Sequence, residues 1–331
     1  MKKVILTVLA ICCVAHLGMA QGNDNNNQNA VGSQSGGHEV LRNNEINGQN
    51  NDHNKQSVFF IQSGFLSTNE INDNNLIEGD RNDRNTQSVL GRQGGISSPN
   101  EINQNNKIDG NNNDWNSQKI RGRQGGAIIF PNQINRNNQI VGNRNDGNTQ
   151  LIEAEQSGTG NDIQSVNQIL GNNNDKNSQK LWANQEGTGH DIENGDNNLI
   201  DGNNNGWNKQ EIRVNQEFLN HELSDINRII GNNNEDNSQE VWAEQDGSNN
   251  QLDEINLIEG NNNRNNSQKA STDQDGFSFL PPNNIIRSSN IMEGGRNDYN
   301  SQELFGEQDG DDHLIDDVNT IILGNNNDNN S

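Results

Sequence analysis

The sequence predicts an all-β fold, a two-strands-per-turn β-solenoid of about ten stacked repeats of ~31 residues. Three observations predict it. Glycine recurs ahead of Asn-rich runs, at Gly48, Gly79, Gly110, Gly142, Gly171, Gly202, Gly231, Gly260, Gly294 and Gly324, with spacings of 29 to 34 residues. Within each unit the even-numbered positions repeat while the odd ones vary, which is the period of a strand with one buried face. Every proline (Pro99, Pro131, Pro281 and Pro282) falls between units, where the missing N–H breaks no ladder.

The first element precedes the repeats. Lys2 and Lys3 lead into the apolar run Val4 to Val14, and Gly18-Met19-Ala20 supplies small residues for cleavage, so residues 1–20 read as a secretory signal peptide. Residues 21–40 read as a disordered leader rich in Gly, Asn and Gln, and residues 41–331 as the repeat domain. The expected location is therefore secreted, extracellular or cell-surface. Both cysteines, Cys12 and Cys13, lie in the signal, so the processed chain offers no disulfide or thiolate metal site.

Composition sets the problem the repeat must solve. Asn accounts for 72 of 331 residues, hydrophobic residues for 27 %, and the net charge is −24. Removing Lys2 and Lys3 takes that charge from −24 to −26. Low hydrophobicity with high charge ordinarily means disorder. So acidic a surface also repels nucleic acid and anionic membranes.

Taking the anchoring glycine as position zero, the columns emerge in order. Position six is Asn: Asn54, Asn85, Asn116, Asn148, Asn177, Asn208, Asn237, Asn266 and Asn300. Position eight is Gln: Gln56, Gln87, Gln118, Gln150, Gln179, Gln210, Gln239, Gln268 and Gln302. Position ten is apolar, as at Val89 and Ile120, and position twelve is usually small, as at Gly122 and Ala154. Position fourteen is Gln again: Gln62, Gln93, Gln124, Gln156, Gln185, Gln216, Gln245, Gln274 and Gln308. A second alternating segment precedes each anchor, as in N-x-I-x-D-x-N-x-I-x-G from Asn69 to Gly79.

One such strand pair is too small to be stable, but identical units stacked at the ~4.8 Å strand spacing place like over like. Asn and Gln amides then bond up and down each column, while the aliphatic columns exclude water. The function of such a chain lies in its stacking register. It carries no G-x-S-x-G, P-loop or H-E-x-x-H motif, so it reads as a structural protein that is not an enzyme, with no cofactor, metal site or small-molecule substrate. The Asn-Asp arcs lack EF-hand spacing. The histidines at 38, 53, 190, 221 and 313 read as sharing no register, and no cysteine accompanies them, so no metal or catalytic site is expected among them. Trp182 and Trp242 occupy the outward eleventh column, and Trp115 and Trp207 sit in arcs.

The step Gln156-Ser-Gly158-Thr-Gly-Asn161 is Q-x-G-x-x-N, which resembles the turn signature of curlin repeats, the units of bacterial curli amyloid fibres. The resemblance covers essentially the whole chain after the signal, and the segment from Gln21 to Gly37 resembles the leader of curli subunits. This unit is longer than the family's common one and carries three Asn columns in one arc. The resemblance implies self-association into fibres for adhesion and biofilm matrix, with an outer-membrane export channel and a nucleating subunit as partners. The alternative is an acidic, Asn-rich extracellular matrix or biomineral protein associating with cations.

Overall fold

A computed structural model describes residues 23–326 apart from short connecting segments, namely 25–26, 36–37, 42–43, 66–68, 73, 97–99, 128–131, 165, 193–196, 225, 249, 254, 276–284, 288–289, 310–313 and 317–318. The signal segment read at 1–20 and the proline-bearing loops lie outside the described residues. The chain winds into a parallel β-solenoid with ~31-residue spacing. Seven consecutive turns run between Asn44 and Asn256, each marked by one Asn-to-Asn side-chain bond.

One turn shows how the residues make the fold. Asn100–Asn103 forms a short strand with Asn100 and Ile102 inward. The chain bends through left-handed Gln104 and Asn106 into the strand Lys107–Asp109. It passes Gly110 into Asn112–Asp114, bends again at left-handed Trp115, and enters the long strand Ser117–Ala127. The long strands and the Asn100-type strands each build a 10-stranded sheet, and the two kinds of short strand share a 19-stranded one. Pairing is in register, so Gln118 faces Gln87 on one side and Gln150 on the other.

From His38 to Asp275 each turn has four strand segments where two were expected, and the turn from Ile285 to Asp309 has three. The segment read as one strand from Asn69 to Gly79 is two, Asn69–Asn72 and Leu76–Glu78. The cause is backbone conformation: left-handed Asn75 (φ 60°) turns the corner, so that Asn74 and its neighbour Asn75 are both buried. In the next turns the position two before that asparagine, Gln104 and Arg136, is left-handed and exposed, not inward.

The segment read as a disordered leader, 21–40, carries strands among its described residues. Asn27–Ser35 pairs in parallel with Lys55–Phe65, and His38–Leu41 pairs with Asn69–Asn72. Gln28, Ala30, Gly32 and Gln34 fall opposite Gln56, Val58, Phe60 and Gln62, so this segment repeats the strand pattern one period early.

The apolar residues divide between two cores. The larger packs the tenth-position column (Val89, Ile120, Ile152) against the column of Ile71, Ile102 and Ile134. The other is one file of Ile46, Ile77, Ile108, Ile140, Ile169, Ile200, Ile229, Ile258 and Met292. The small twelfth position follows from this packing. A Cβ on Gly122 would lie 3.0 Å from the Cδ1 atoms of both Ile102 and Ile134.

Candidate functional site

The polar interior is the candidate site. The eighth-position glutamines form a continuous donor chain: Gln118 Nε2 donates to Gln87 Oε1 at 2.9 Å, and Gln150 Nε2 donates to Gln118 Oε1 at 2.9 Å. The chain runs from Gln56, which donates to Gln28, as far as Gln302, which donates to Gln268. Gln118 Nε2 also contacts the carbonyls of Asn106 and Gln139, which ties the long sheet to the corner strands. The fourteenth-position column behaves alike, with Gln124 Nε2 donating to Gln93 Oε1 at 2.9 Å and on through Gln274 to Gln245.

The sixth-position asparagines bond differently. Each offers its side-chain oxygen to the backbone N–H of its counterpart one turn earlier, as Asn116 Oδ1 does for Asn85. Its amide returns to a carbonyl of the preceding turn, as from Asn85 to Asn51 at 2.6 Å. Two further Asn ladders share the interior. One climbs through Asn51, Asn82 and Asn113, and the other through Asn75, Asn106 and Asn138. Both are buried, and their amides donate toward the following turn, opposite to the glutamines. The amides of these columns are thus bonded to one another and to the backbone, which removes most of the desolvation cost of burying them.

The anchoring glycines answer to close approach. A Cβ on Gly110 would lie 1.8 Å from the Gly79 carbonyl oxygen, and the same clash recurs at Gly79, Gly142, Gly171, Gly202, Gly231, Gly260 and Gly294. The left-handed residues stand elsewhere, five positions on, where Trp115, Lys176, Trp207 and Tyr299 all adopt it.

One interior column contains a break, and it shows that two of the histidines do share a register. Asn69 donates to Asn100, Asn100 to Asn132 and Asn132 to Asn161. His190 and His221 then occupy the next two rungs before Asn250 resumes the polar file. Both lie nineteen residues after an anchoring glycine, Gly171 and Gly202. The imidazoles are buried and stacked, with ring centroids 5.1 Å apart and planes 16° from parallel. Nε2 of His190 and both ring nitrogens of His221 have no partner at ordinary hydrogen-bond geometry, although the backbone of Glu186 and of Glu217 lies near enough to favour their charged forms. Burial pushes both imidazoles down to about 4, and for His221 the neighbouring His190 adds to the effect. Beside them burial, with Glu222 next to it, raises the Asp191 carboxyl to about 6.

Outward positions carry the charge. Asp52, Asp83, Asp114, Asp146 and Asp175 stack on successive rungs. Burial, then the neighbouring aspartates, raises the carboxyls of Asp83 and Asp114. On the long sheet partial burial pushes the Glu153 carboxyl up, but bonds from Lys119 and Arg121 outweigh this and hold it below its ordinary value. Glu211 is likewise held low against its burial by Lys180 and Lys209, with Arg213 at 3.0 Å.

No family model, curated protein or solved structure matches the chain.

Proposed function

We propose that the chain is the structural subunit of an extracellular, curli-like amyloid fibre serving adhesion and biofilm matrix. In this reading the glycine-anchored units form about ten rungs, and the secreted chain adds to the next by continuing the same stack. The observation that carries the reading is the direction of the ladders. Glutamine amides donate toward the N-terminal end and the Asn51-type and Asn75-type amides toward the C-terminal end, without reversal along the stack. A glutamine arriving in the same column would donate to Gln302 as Gln302 donates to Gln268.

Only head-to-tail addition preserves that direction in every column; head-to-head contact sets donor against donor. Among the described residues Asn27–Ser35 and Ser301–Asp309 end their sheet, each pairing on one side. Such edges template further strands. Continuous amide ladders beside dry aliphatic files give the resistance of cross-β assemblies.

The test is to dilute the purified chain from denaturant and follow thioflavin fluorescence and fibre diffraction. Fibres with a meridional reflection near ~4.8 Å are expected. A chain that remains monomeric at every concentration would sink the fibre reading.

A second reading, an acidic matrix protein associating with cations, is favoured by the file of stacked aspartates. Divalent cations screen such repulsion. It predicts that calcium raises the melting temperature and that Asp114→Asn abolishes part of the rise; no calcium effect removes this reading.

A further inference from the structure

The outward face of the long sheet carries a pattern that stacking does not require. In the eleventh column, register places Trp182, Arg213, Trp242, Ser271 and Phe305 on five successive rungs. Aromatic rings therefore occupy every second rung. At ~4.8 Å per rung they stand roughly 9.6 Å apart. The rings are well exposed, at 39 % for Trp182, 43 % for Trp242 and 52 % for Phe305. Cations flank them: Lys180 lies 6.0 Å from the Trp182 ring, Arg213 5.9 Å from Trp242, and Lys269 5.6 Å from Trp242 and 5.3 Å from Phe305. Between this column and the thirteenth, where Asn184, Asn215 and Glu244 stand, runs an open groove of about 780 Å³.

We propose that this face binds a β-1,4-linked neutral glycan lying along the solenoid axis, with Trp182, Trp242 and Phe305 meeting successive disaccharide units. The two-rung spacing is close to the repeat length of an extended β-1,4-linked chain, in which every second sugar ring presents the same face. Pyranose rings of that linkage offer apolar C–H faces to aromatic side chains and equatorial hydroxyls to the sides. Asn184 and Asn215, on the groove's other side, are placed to bond those hydroxyls. Charge selects against a polyanion, because the strip's cations are already engaged: Lys180 and Arg213 by Glu211, and Lys119 and Arg121 by Glu153. The net charge of −24 points the same way.

The test is depletion of unassembled protein from solution by microcrystalline cellulose and by chitin particles, with α-linked starch granules as the wrong repeat. Working below the concentration at which light scattering rises separates this result from the fibre reading. Binding to one or both β-1,4 polymers and not to starch is expected, and the two particle types show which sugar is preferred. Trp182→Ala with Trp242→Ala is expected to weaken binding by about a hundredfold, as for two aromatic hot spots. Trp182→Phe with Trp242→Phe, which retains rings and fold, stays within about tenfold of the parent. Trp115→Ala with Trp207→Ala, outside the strip, leaves binding unchanged.

The decisive variant is Trp182→Arg with Arg213→Trp, which preserves composition but puts two tryptophans on adjacent rungs. It is expected to lose binding while its circular dichroism stays that of the parent. Equal binding by this variant, equal depletion by starch, or no binding to either β-1,4 polymer overturns the proposal.

Discussion

Replacing Gln118 by alanine tests the amide ladder where it is most completely bonded. The Gln118 side chain is fully buried; its amide donates to Gln87 Oε1 and to the carbonyls of Asn106 and Gln139, and its oxygen accepts from Gln150. Alanine removes all four contacts. Each net bond is worth about 1 kcal/mol, and a partner left buried without a substitute costs about 1–3 kcal/mol. Gln150 still holds the carbonyls of Asn138 and Gln168, so its amide is not stranded. The Asn106 carbonyl and Gln87 Oε1 do lose a donor. With the void left by the missing side chain, the expected loss is about 3–5 kcal/mol. Arg121→Ala, on the opposite face of the same strand, removes an exposed ion pair with Glu153 and is expected to cost no more than about 1 kcal/mol. The assay is guanidinium unfolding followed by circular dichroism, with hydrogen exchange on the Ser117–Ala127 segment because a solenoid loses stability locally. Equal losses for the two variants would refute the claim that inward amides hold the stack.

Gly110→Ala should disrupt stacking more than any outward substitution, because its Cβ would lie 1.8 Å from the Gly79 carbonyl, whereas Gly94→Ala meets nothing nearer than 3.7 Å and is expected to fold normally. Comparing their thermal midpoints checks this. The histidine pair predicts acid sensitivity. Both folded-state values are depressed from 6.5 to about 4, so the folded chain binds fewer protons than the unfolded one, and this contribution is complete above pH 6.5 and lost as pH falls toward 4. Asp191, raised from 3.8 to about 6, acts oppositely, its contribution being lost as pH rises through that window. The raised Asp83 and Asp114 act in its sense, while Glu153 and Glu211, held low, act with the two histidines. Stability is therefore expected to fall between pH 6.5 and 4, and His190→Asn with His221→Asn, which continues the Asn69 file, should flatten the pH profile of the melting temperature. An unchanged profile counts against the stacked pair.

The stacking register was legible because identical side chains recur at identical offsets. Gln118 over Gln87 and Ile108 over Ile77 follow from counting alone. The corners were not legible, for a physical reason. A left-handed residue such as Gln104 shifts which side chains face inward without interrupting the spacing of Asn100, Ile102, Asn106 and Ile108, so two strands read as one. The first rung was obscured by composition. Its asparagines and glycines suggest disorder, yet Gln28, Ala30, Gly32 and Gln34 hold the offsets of the later strands. The histidine pair is visible only when counted forward from the preceding glycines. Counted back from Gly202 and Gly231, His190 and His221 are twelve and ten residues away, because the intervening loops differ in length. Ladder direction, by contrast, is set by amide orientation, which no residue pattern encodes.

The distance between Ser117 and Ser267, substituted by spin-labelled cysteines in a chain beginning at Gln21 and so lacking Cys12 and Cys13, tests in-register stacking most directly. These positions occupy one column five rungs apart, through Thr149, Ser178, Lys209 and Ser238. Pulsed electron spin resonance is expected to give a narrow distribution near ~24 Å, five steps of ~4.8 Å. A broad distribution centred near ~65 Å, as for a flexible chain of that length, would contradict the account.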